Sequence, residues 1–541
     1  MNSSRPEITE LTLSDGSSLQ AKNFGSFILL RDSAESNGQL AGIGNAIFDR
    51  QFDFIDEVIA TEVEICLAIN ESFESGMLRE IEQLNVGRMN DSASKQHTLS
   101  IWFPEEADDW KHVTQHSGLA EETYIDQLLD CELTVAMIGF LPGFAYLKGL
   151  PDSLHVPRKE RPSTRNSVGS FAIGGKYAGV YALPSAAGWH CIGRIAESLL
   201  NTQQLPPLTV AQGDRIKLKR IDEKTFRQMW KPKRESPCRK RFPVFDDGRG
   251  SLFFETPGML TLIQDAGRPG LAFYAIPPAG AMDVRSAEVA NALLRNLPRA
   301  PVIECHFVPP SIRFESDATI CLTGADMGWS IDGSRVKRNR TIDISKGSTL
   351  HGSAATEGCR GYIAIHGEID TEQTFDSAAC YTPAHFGGNL GKPFAARDEL
   401  QWIKPETPAY PLQINLSSSV SASEHLQLVC GPEFDWLDNQ SKELLFSGSF
   451  SVSSQSNRMG ARLNGPLLKK ATNRLLSDSV PLLPGMIQLT PEGQCIVVLQ
   501  DGQTTGGYPR IAYLPSISVQ RLNQTRLGHP FQFELQSLSK A

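Results

Sequence analysis

Four segments place arginine, aspartate and threonine in turns bounded by glycine and proline, where side chains can converge on a small polar ligand. The first joins GFLPGFAYLKGL (Gly139–Leu150) to PRKERPSTRNSVGS (Pro157–Ser170) and holds Arg158, Arg161 and Arg165 within eight residues. Guanidinium groups carried on irregular backbone suit two-point capture of a carboxylate or phosphate. Salt bridges around the rim of a β-barrel account for the same arginines equally well. The second segment, TPGMLTLIQDAGRPG (Thr256–Gly270) followed by PAGAMD (Pro278–Asp283), sets Asp265, Arg268 and Asp283 in such turns. The third is SQSNRMGARLNGP (Ser454–Pro466), and the fourth is QDGQTTGGYPR (Gln500–Arg510). The Thr-Thr-Gly-Gly run offers hydroxyls and unhindered backbone N–H groups, the materials of an anion nest. A hairpin loop that needs positive φ explains its glycines, but not Thr504, Thr505 and Arg510 together.

Other chemistries lack their motifs. The chain has no GxxxxGK[ST], HExxH or GxSxG and no biotin-attachment sequence. His112 and His116 are four apart on an expected helix, a metal-binding spacing, yet no third ligand of matching spacing lies nearby, so no metal site is expected.

Short runs rich in Val, Ile, Leu and Phe, punctuated by Gly and Pro, must position these segments, and they predict a mainly β protein with some α+β elements. Helices are expected at Ala107–Leu129, at Ser75–Leu84 and at Val284–Arg295, the last opened by Asp283 as N-cap. Two distant stretches, Gly169–Trp189 and Gly485–Tyr508, share one pattern: Gly, an apolar strand, a turn, a second strand, then Gly and an aromatic residue. Three alternating strands that follow turns, within Gln212–Arg220, Ala396–Lys404 and Leu527–Leu535, suggest three lobe endings. The expected organisation is a small N-terminal α/β domain (1–95), a barrel lobe (96–222), a basic linker (223–250) and two further barrel lobes (251–405 and 425–541), the Ser-rich stretch Leu416–Glu424 preceding the last.

The 541 residues, 40% hydrophobic and 21% charged, exceed what one core accommodates. A net charge of −9 gives no general attraction to nucleic acid. The 12 Lys/Arg among the 27 residues Arg215–Arg241 are interleaved with Pro and lack aromatic platforms, so they read as a solvated linker. Apolar runs such as Val135–Leu147 are too short to cross a membrane. Residues 1–30 show no export signal, and ten dispersed cysteines without CxxC fit reduced thiols, so a cytoplasmic protein is expected.

The same segments resemble a known family. GFLPGFAYLKGLP with Pro157–Arg158, Gly169–Ser170, Gly188–Trp189 and Gly193–Arg194 is similar to the B component of 5-oxoprolinase, also called kinase-inhibitor I or allophanate hydrolase subunit 1. TPGMLTLIQDAGRPG, PAGAMD, LTGAD (Leu322–Asp326), SQSNRMGARLNGP and QDGQTTGGYPR look like the C component of the same enzyme, the biotin-dependent carboxyltransferase. The resemblance implies a natural B–C fusion, cyclophilin-like barrel lobes and a groove where the halves meet. It further implies that Arg158, Arg165, Arg268, Arg458 and Arg510 hold phosphate or carboxylate, with Ser170, Thr504, Thr505, Gly506 and Gly507 at a nucleotide. Asp265, Asp283, Asp478 and Asp501 would orient substrate or nucleotide-bound magnesium. The implied activity is ATP-dependent opening of 5-oxo-L-proline to L-glutamate with a separate A-like partner. The alternatives are carboxyl transfer to urea, served by a separate biotin carrier protein, and non-enzymatic inhibition of a sensor kinase.

Several positions depart from the family pattern. Pro162-Ser163 and Asn166-Ser167 replace a second Pro-Arg and a Val-Pro, and Ala186-Ala187 precede Gly188-Trp189 where Pro-Gly is usual. Asp376–Tyr381, Val308–Pro310 and Gly502 lack an arginine, a glycine pair and a second arginine. Each loss removes a donor or a flexible backbone point, and Arg165 lies close enough to substitute for the first.

Overall fold

The computed structural model describes residues 8–536 apart from 15, 33–39, 71–72, 85–93, 105–108, 162, 164, 187, 231–237, 240–247 and 416–423. Most of the basic linker and nearly all of the Ser-rich stretch therefore lie outside the described residues.

The N-terminal strands Ile8–Thr12, Ser18–Asn23, Phe27–Asp32, Ile65–Ile69 and Ile55–Ala60 lie side by side in that order. Every neighbouring pair is antiparallel, so this domain is α+β rather than the expected α/β. Three of these pairs are joined by short hairpin links, which cannot connect parallel strands, and the fourth, Phe27–Asp32 with Ile65–Ile69, is reached by way of the helix Leu40–Arg50 and the strand Ile55–Ala60. The strand Phe27–Asp32 is apolar on both faces. Ile28 and Leu30 pack with Leu40, Ile43 and Ile47 of the helix Leu40–Arg50, whereas Phe27 and Leu29 pack against Leu482, Met486 and Tyr513, far along the chain.

Two closed seven-stranded barrels follow the same plan. The first runs from Gln96–Trp102 to Arg215–Arg220 and the second from His425–Cys430 to Pro530–Leu535. With strands numbered in chain order within each barrel, both close in the circular order 1-6-4-5-3-2-7. In both, the first and last strands pair in parallel. Both carry a register shift between strands four and six, at Cys191/Gly193 and at Ile487/Gln488. The two similar stretches of sequence are the hairpins of strands four and five, Ser170–Gly174 with Tyr177–Tyr181 and Met486–Leu489 with Cys495–Val498.

The lobe between them is not a barrel. Its strands form a seven-stranded and a five-stranded sheet, with Leu252, Phe314, Ile363 and Trp402 in the core between them. Alternating strands that follow a turn specify a half-buried sheet but not its closure, so the expectation of a third barrel was not met. The helix expected over Ala107–Leu129 is two helices, Trp110–Ser117 and Glu121–Asp130, because Gly118 adopts φ 72° and ends the first. Helices at Ser75–Glu82 and Val284–Leu294 match expectation, and Asp283 caps the latter by accepting from the Ser286 N–H. Nine cysteines among the described residues are free thiols, and no helix there is long and apolar enough to cross a membrane.

Candidate functional site

The two barrels face each other across a cavity of about 390 Å³. The first contributes Arg158 from the loop after its third strand and Gly174–Tyr177 from its hairpin. The second contributes Lys470 and Leu475–Asp478 from its corresponding loop, Thr490 and Pro491 from its hairpin, and Gly507–Pro509.

Beneath this groove the first barrel carries an aromatic cluster of Phe144, Tyr146, Tyr177, Tyr181 and Trp189. Trp189 lies across Gly174 and Gly179, where a Cβ would come within 2.5 Å and 2.8 Å of its ring, so both strand glycines are required by contact. The Arg158 guanidinium stands 5.9 Å from the Trp189 ring and 3.6 Å from the Cβ position of Gly507. Arg158 is exposed and forms no ion pair among the described residues. Held by a ring and a bare backbone, it keeps its donors for an anion.

The opposite wall is a polar network. Lys176 Nζ is 2.9 Å from Asp478 Oδ1, and the Tyr177 hydroxyl is 2.7 Å from the same oxygen. That hydroxyl also hydrogen-bonds Glu62 of the N-terminal domain, to which Lys148 pairs at 2.8 Å. Burial first, then the two carboxylates, hold the Tyr177 phenol well above its ordinary range. Burial opposes ionisation of Asp478, yet hydrogen bonds from Lys176, Tyr177 and Ser477 keep its carboxyl below the usual value. Asp478 was expected from the family resemblance. Glu62, Lys176 and Tyr177 were missed, although Gly-Gly-Lys-Tyr in the repeated hairpin was a usable signal.

Most of the other expected site residues serve the assembly. Arg510 is fully buried and bonds Glu433 twice at 3.0 Å, the Pro481 carbonyl at 3.0 Å, and Glu64. Glu64 belongs to the turn Thr61–Glu64 of the N-terminal domain, whose Glu62 reaches the first barrel. One short turn thus ties both barrels. Arg31 adds a second cation to Glu64 at 2.7 Å, and the two guanidiniums overcome burial to hold that carboxyl below its ordinary range. Arg458 grips Asp501 at 2.9 and 3.0 Å, the Gly280 carbonyl at 2.7 Å, and Glu304 of the middle lobe. Burial opposes its charge, but the two carboxylates outweigh burial and keep the guanidinium protonated.

Asp265 accepts from the Ser377 hydroxyl and from the Ala378 and Gly267 N–H groups. Arg268 is buried against the Thr374 and Ala379 carbonyls. Asp283 is occupied by Ser286 and by Gln524 Nε2 at 2.8 Å. Thr505 is buried where the barrels touch: its Oγ1 accepts from the Phe140 N–H at 2.7 Å, and a Cβ on Gly139 would lie 2.4 Å from that oxygen. Thr504 is buried beside it, Gly506 packs against Leu482, and Ser170 donates to the Ser167 carbonyl within the barrel wall. Arg165 is exposed and lines none of the cavities described, whereas Arg458 lines a separate one of about 160 Å³, so the two do not share an anion site.

Of the expected residues the groove therefore brings together Arg158, Asp478 and Gly507. Of the residues expected to cradle a nucleotide and its magnesium, Ser170, Thr505, Arg510, Asp265, Asp283 and Asp501 are engaged in internal contacts, while Gly507 and Asp478 line the groove. Among the described residues no group of His, Cys, Asp and Glu could hold a metal, and His112 instead stacks on His190 at 5.8 Å. The family departure at Gly502 has a steric reason here, since a Cβ would come 2.5 Å from Val498 and 2.8 Å from the Leu499 carbonyl.

Residues 28–210 match the family described as carboxyltransferase domain, subdomain C and D, and residues 274–535 match carboxyltransferase domain, subdomain A and B. Over 285 residues the chain is 34% identical to the C component of 5-oxoprolinase from Escherichia coli K12, covering 52% of this chain and 91% of that protein. The chain belongs to the carboxyltransferase-domain family. It unites both pairs of subdomains in a B–C fusion. A 105-residue stretch is 37% identical to the B component of 5-oxoprolinase from E. coli O157:H7, covering 19% of this chain and 48% of that protein. Urea amidolyase of Saccharomyces cerevisiae is 31% identical over 297 residues, 51% of this chain and 16% of that protein. The crystal structure of TTHA0988 shares the fold along 94% of this chain and 99% of its own, with a TM-score of 0.80 at 23% identity. The two family matches end and begin on either side of the basic linker, as expected for fused halves.

Proposed function

We propose that this carboxyltransferase-domain fusion is the B–C component of a 5-oxoprolinase, binding 5-oxo-L-proline in the groove between its barrels so that the lactam is opened to L-glutamate. The carrying observation is Arg158, uncommitted above Trp189 at the mouth of a polar cavity, a donor set suited to the carboxylate of a small cyclic amide. The similarity to both named 5-oxoprolinase components supports the same reading. We assign ATP and magnesium to an A-like partner, because most of the residues of this chain expected to hold them are used internally.

A second reading, carboxyl transfer to a small amide such as urea with a separate biotin carrier protein, is favoured by the family description and by the urea amidolyase match. Calorimetry on the purified chain separates the two. Binding of 5-oxo-L-proline that Arg158→Ala abolishes supports the lactam reading. Binding of urea without binding of 5-oxo-L-proline overturns it.

A further inference from the structure

Away from the groove, a cavity of about 160 Å³ lies where the middle lobe meets the second barrel. Leu260 and Phe307 of the lobe and Val452, Leu499 and Leu522 of the barrel segment give it apolar walls. A shallower hollow of about 330 Å³ shares Phe307 and the exposed Leu527 with it. That hollow carries Arg526, whose guanidinium is 5.7 Å from the Phe307 ring.

One cation of this cavity is held in place but not neutralised. Arg360 belongs to the strand Glu357–Ile365, and Gln524 fixes its backbone by accepting from its N–H and donating to its carbonyl, both at 3.0 Å. Its Nη1 donates to the Asn523 carbonyl. Its Nε and Nη2 have no hydrogen-bond partner, and it forms no ion pair, among the described residues. That edge of a guanidinium presents two parallel N–H groups, the fork that matches a carboxylate. Glu304, the one carboxylate among the described residues that line the cavity, is already taken by Arg458, by the Tyr362 hydroxyl at 2.8 Å and by the Met282 N–H at 2.8 Å. His306 lies opposite Arg360 in the sheet and lines the same cavity. Burial, then Arg360 and Arg458, lowers its imidazole to about 3, so it is uncharged at neutral pH and the field there favours an anion.

We propose that this cavity binds a small carboxylate with an apolar chain, its two oxygens on the Nε–Nη2 edge of Arg360 and its chain among Leu260, Val452 and Leu499. Charge and walls select this class together. An ammonium ligand would meet Arg360 and Arg458, an uncharged apolar molecule would leave the guanidinium edge unmatched, and a polyphosphate would set its charge against the apolar walls. The ligand touches both the lobe and the barrel, so its binding tightens the seam that Arg458 clasps. The groove at Arg158 is left free, and the site is independent of the lactam reading.

Calorimetry on the full chain with sodium hexanoate as the probe tests the site, with hexanol and sodium acetate as controls. Hexanoate should bind, and each control should bind about tenfold more weakly or less, because it keeps only one of the two recognised features. Arg360→Gln should weaken hexanoate about tenfold or more. Leu527→Asp alters an exposed residue at the mouth, leaves the folded core intact and should weaken hexanoate by setting a second carboxylate beside it. Arg158→Ala should leave hexanoate binding unchanged, and hexanoate should raise the Tm of the native protein. The proposal is overturned if hexanoate does not bind, if hexanol binds as tightly, or if neither Arg360→Gln nor Leu527→Asp weakens it. Loss of hexanoate binding in Arg158→Ala overturns it as well, by placing the carboxylate in the groove.

Discussion

The two barrels share one strand order and one bulge position, yet they use their arginines in opposite ways. In the first, Arg158 is exposed at the groove and has no carboxylate partner among the described residues. In the second, Arg458 and Arg510 are buried, each bracketed by one carboxylate from its own barrel and one from another region. The difference lies in what surrounds each barrel. The second is enclosed by the N-terminal domain and the middle lobe, which deliver Glu64 and Glu304, so its charges are paired during assembly. Both barrels line the groove, and there Arg158 meets a ring and a glycine instead of a carboxylate. Equal topology therefore fixes where loops emerge, while the neighbours decide whether a loop arginine holds the protein together or waits for a ligand.

The comparison breaks first at Arg510. Replacing it with Met leaves the buried Glu64 and Glu433 with Arg31 as their one remaining cation among the described residues and should cost about 3 kcal/mol, read by urea unfolding. A variant of native stability that had lost only ligand binding would return Arg510 to the ligand site.

Next is the seam between the N-terminal domain and the middle lobe. Glu57 accepts from the Gly270 and Ala272 N–H groups at 2.8 and 2.9 Å, and burial raises its carboxyl to about 7. The folded state thus binds this proton more tightly than the unfolded chain. Its contribution to stability is complete below about pH 4.5 and is lost as pH rises through 7, a span worth about 3 kcal/mol. Stability curves of the native protein and Glu57→Gln should converge or diverge across that window. Parallel curves would show that the seam does not titrate.

Smaller effects sharpen the picture of the first barrel. Gly174→Val drives a side chain into Trp189 and should cost about 1–3 kcal/mol, visible as a lower Tm, because a packed ring leaves no room for added carbons. An unchanged Tm would mean that the aromatic floor of the groove yields. Arg158→Ala should move stability by less than about 0.5 kcal/mol while weakening carboxylate binding about tenfold or more. A large loss of stability from this substitution would make Arg158 a structural residue like its counterparts.

Much of the architecture was legible. The repeated hairpin pattern marked the same pair of strands in each barrel, because alternation of apolar residues and glycine turns are local consequences of strand geometry. The helix capped by Asp283 was readable for the same reason. The third barrel and the unbroken helix through Gly118 were misread, since sheet closure and the handedness of one glycine depend on contacts beyond the segment. At the site, the motifs marked the correct loops but not the duties within them. Asp265, Arg268, Arg458 and Arg510 stand out in sequence because they are charged residues in special turns, which describes an assembly clasp as well as a ligand site.

The sequence by itself determined the strand-rich fold and the loops that frame the groove, because periodicity and turn chemistry act over a few residues, and the family resemblance added the fusion of two halves. Only the tertiary structure decided which charges are free. That depends on whether a partner such as Glu64 arrives from 446 positions away to neutralise Arg510, or whether, as at Arg158, the facing surface is an aromatic ring and a bare glycine.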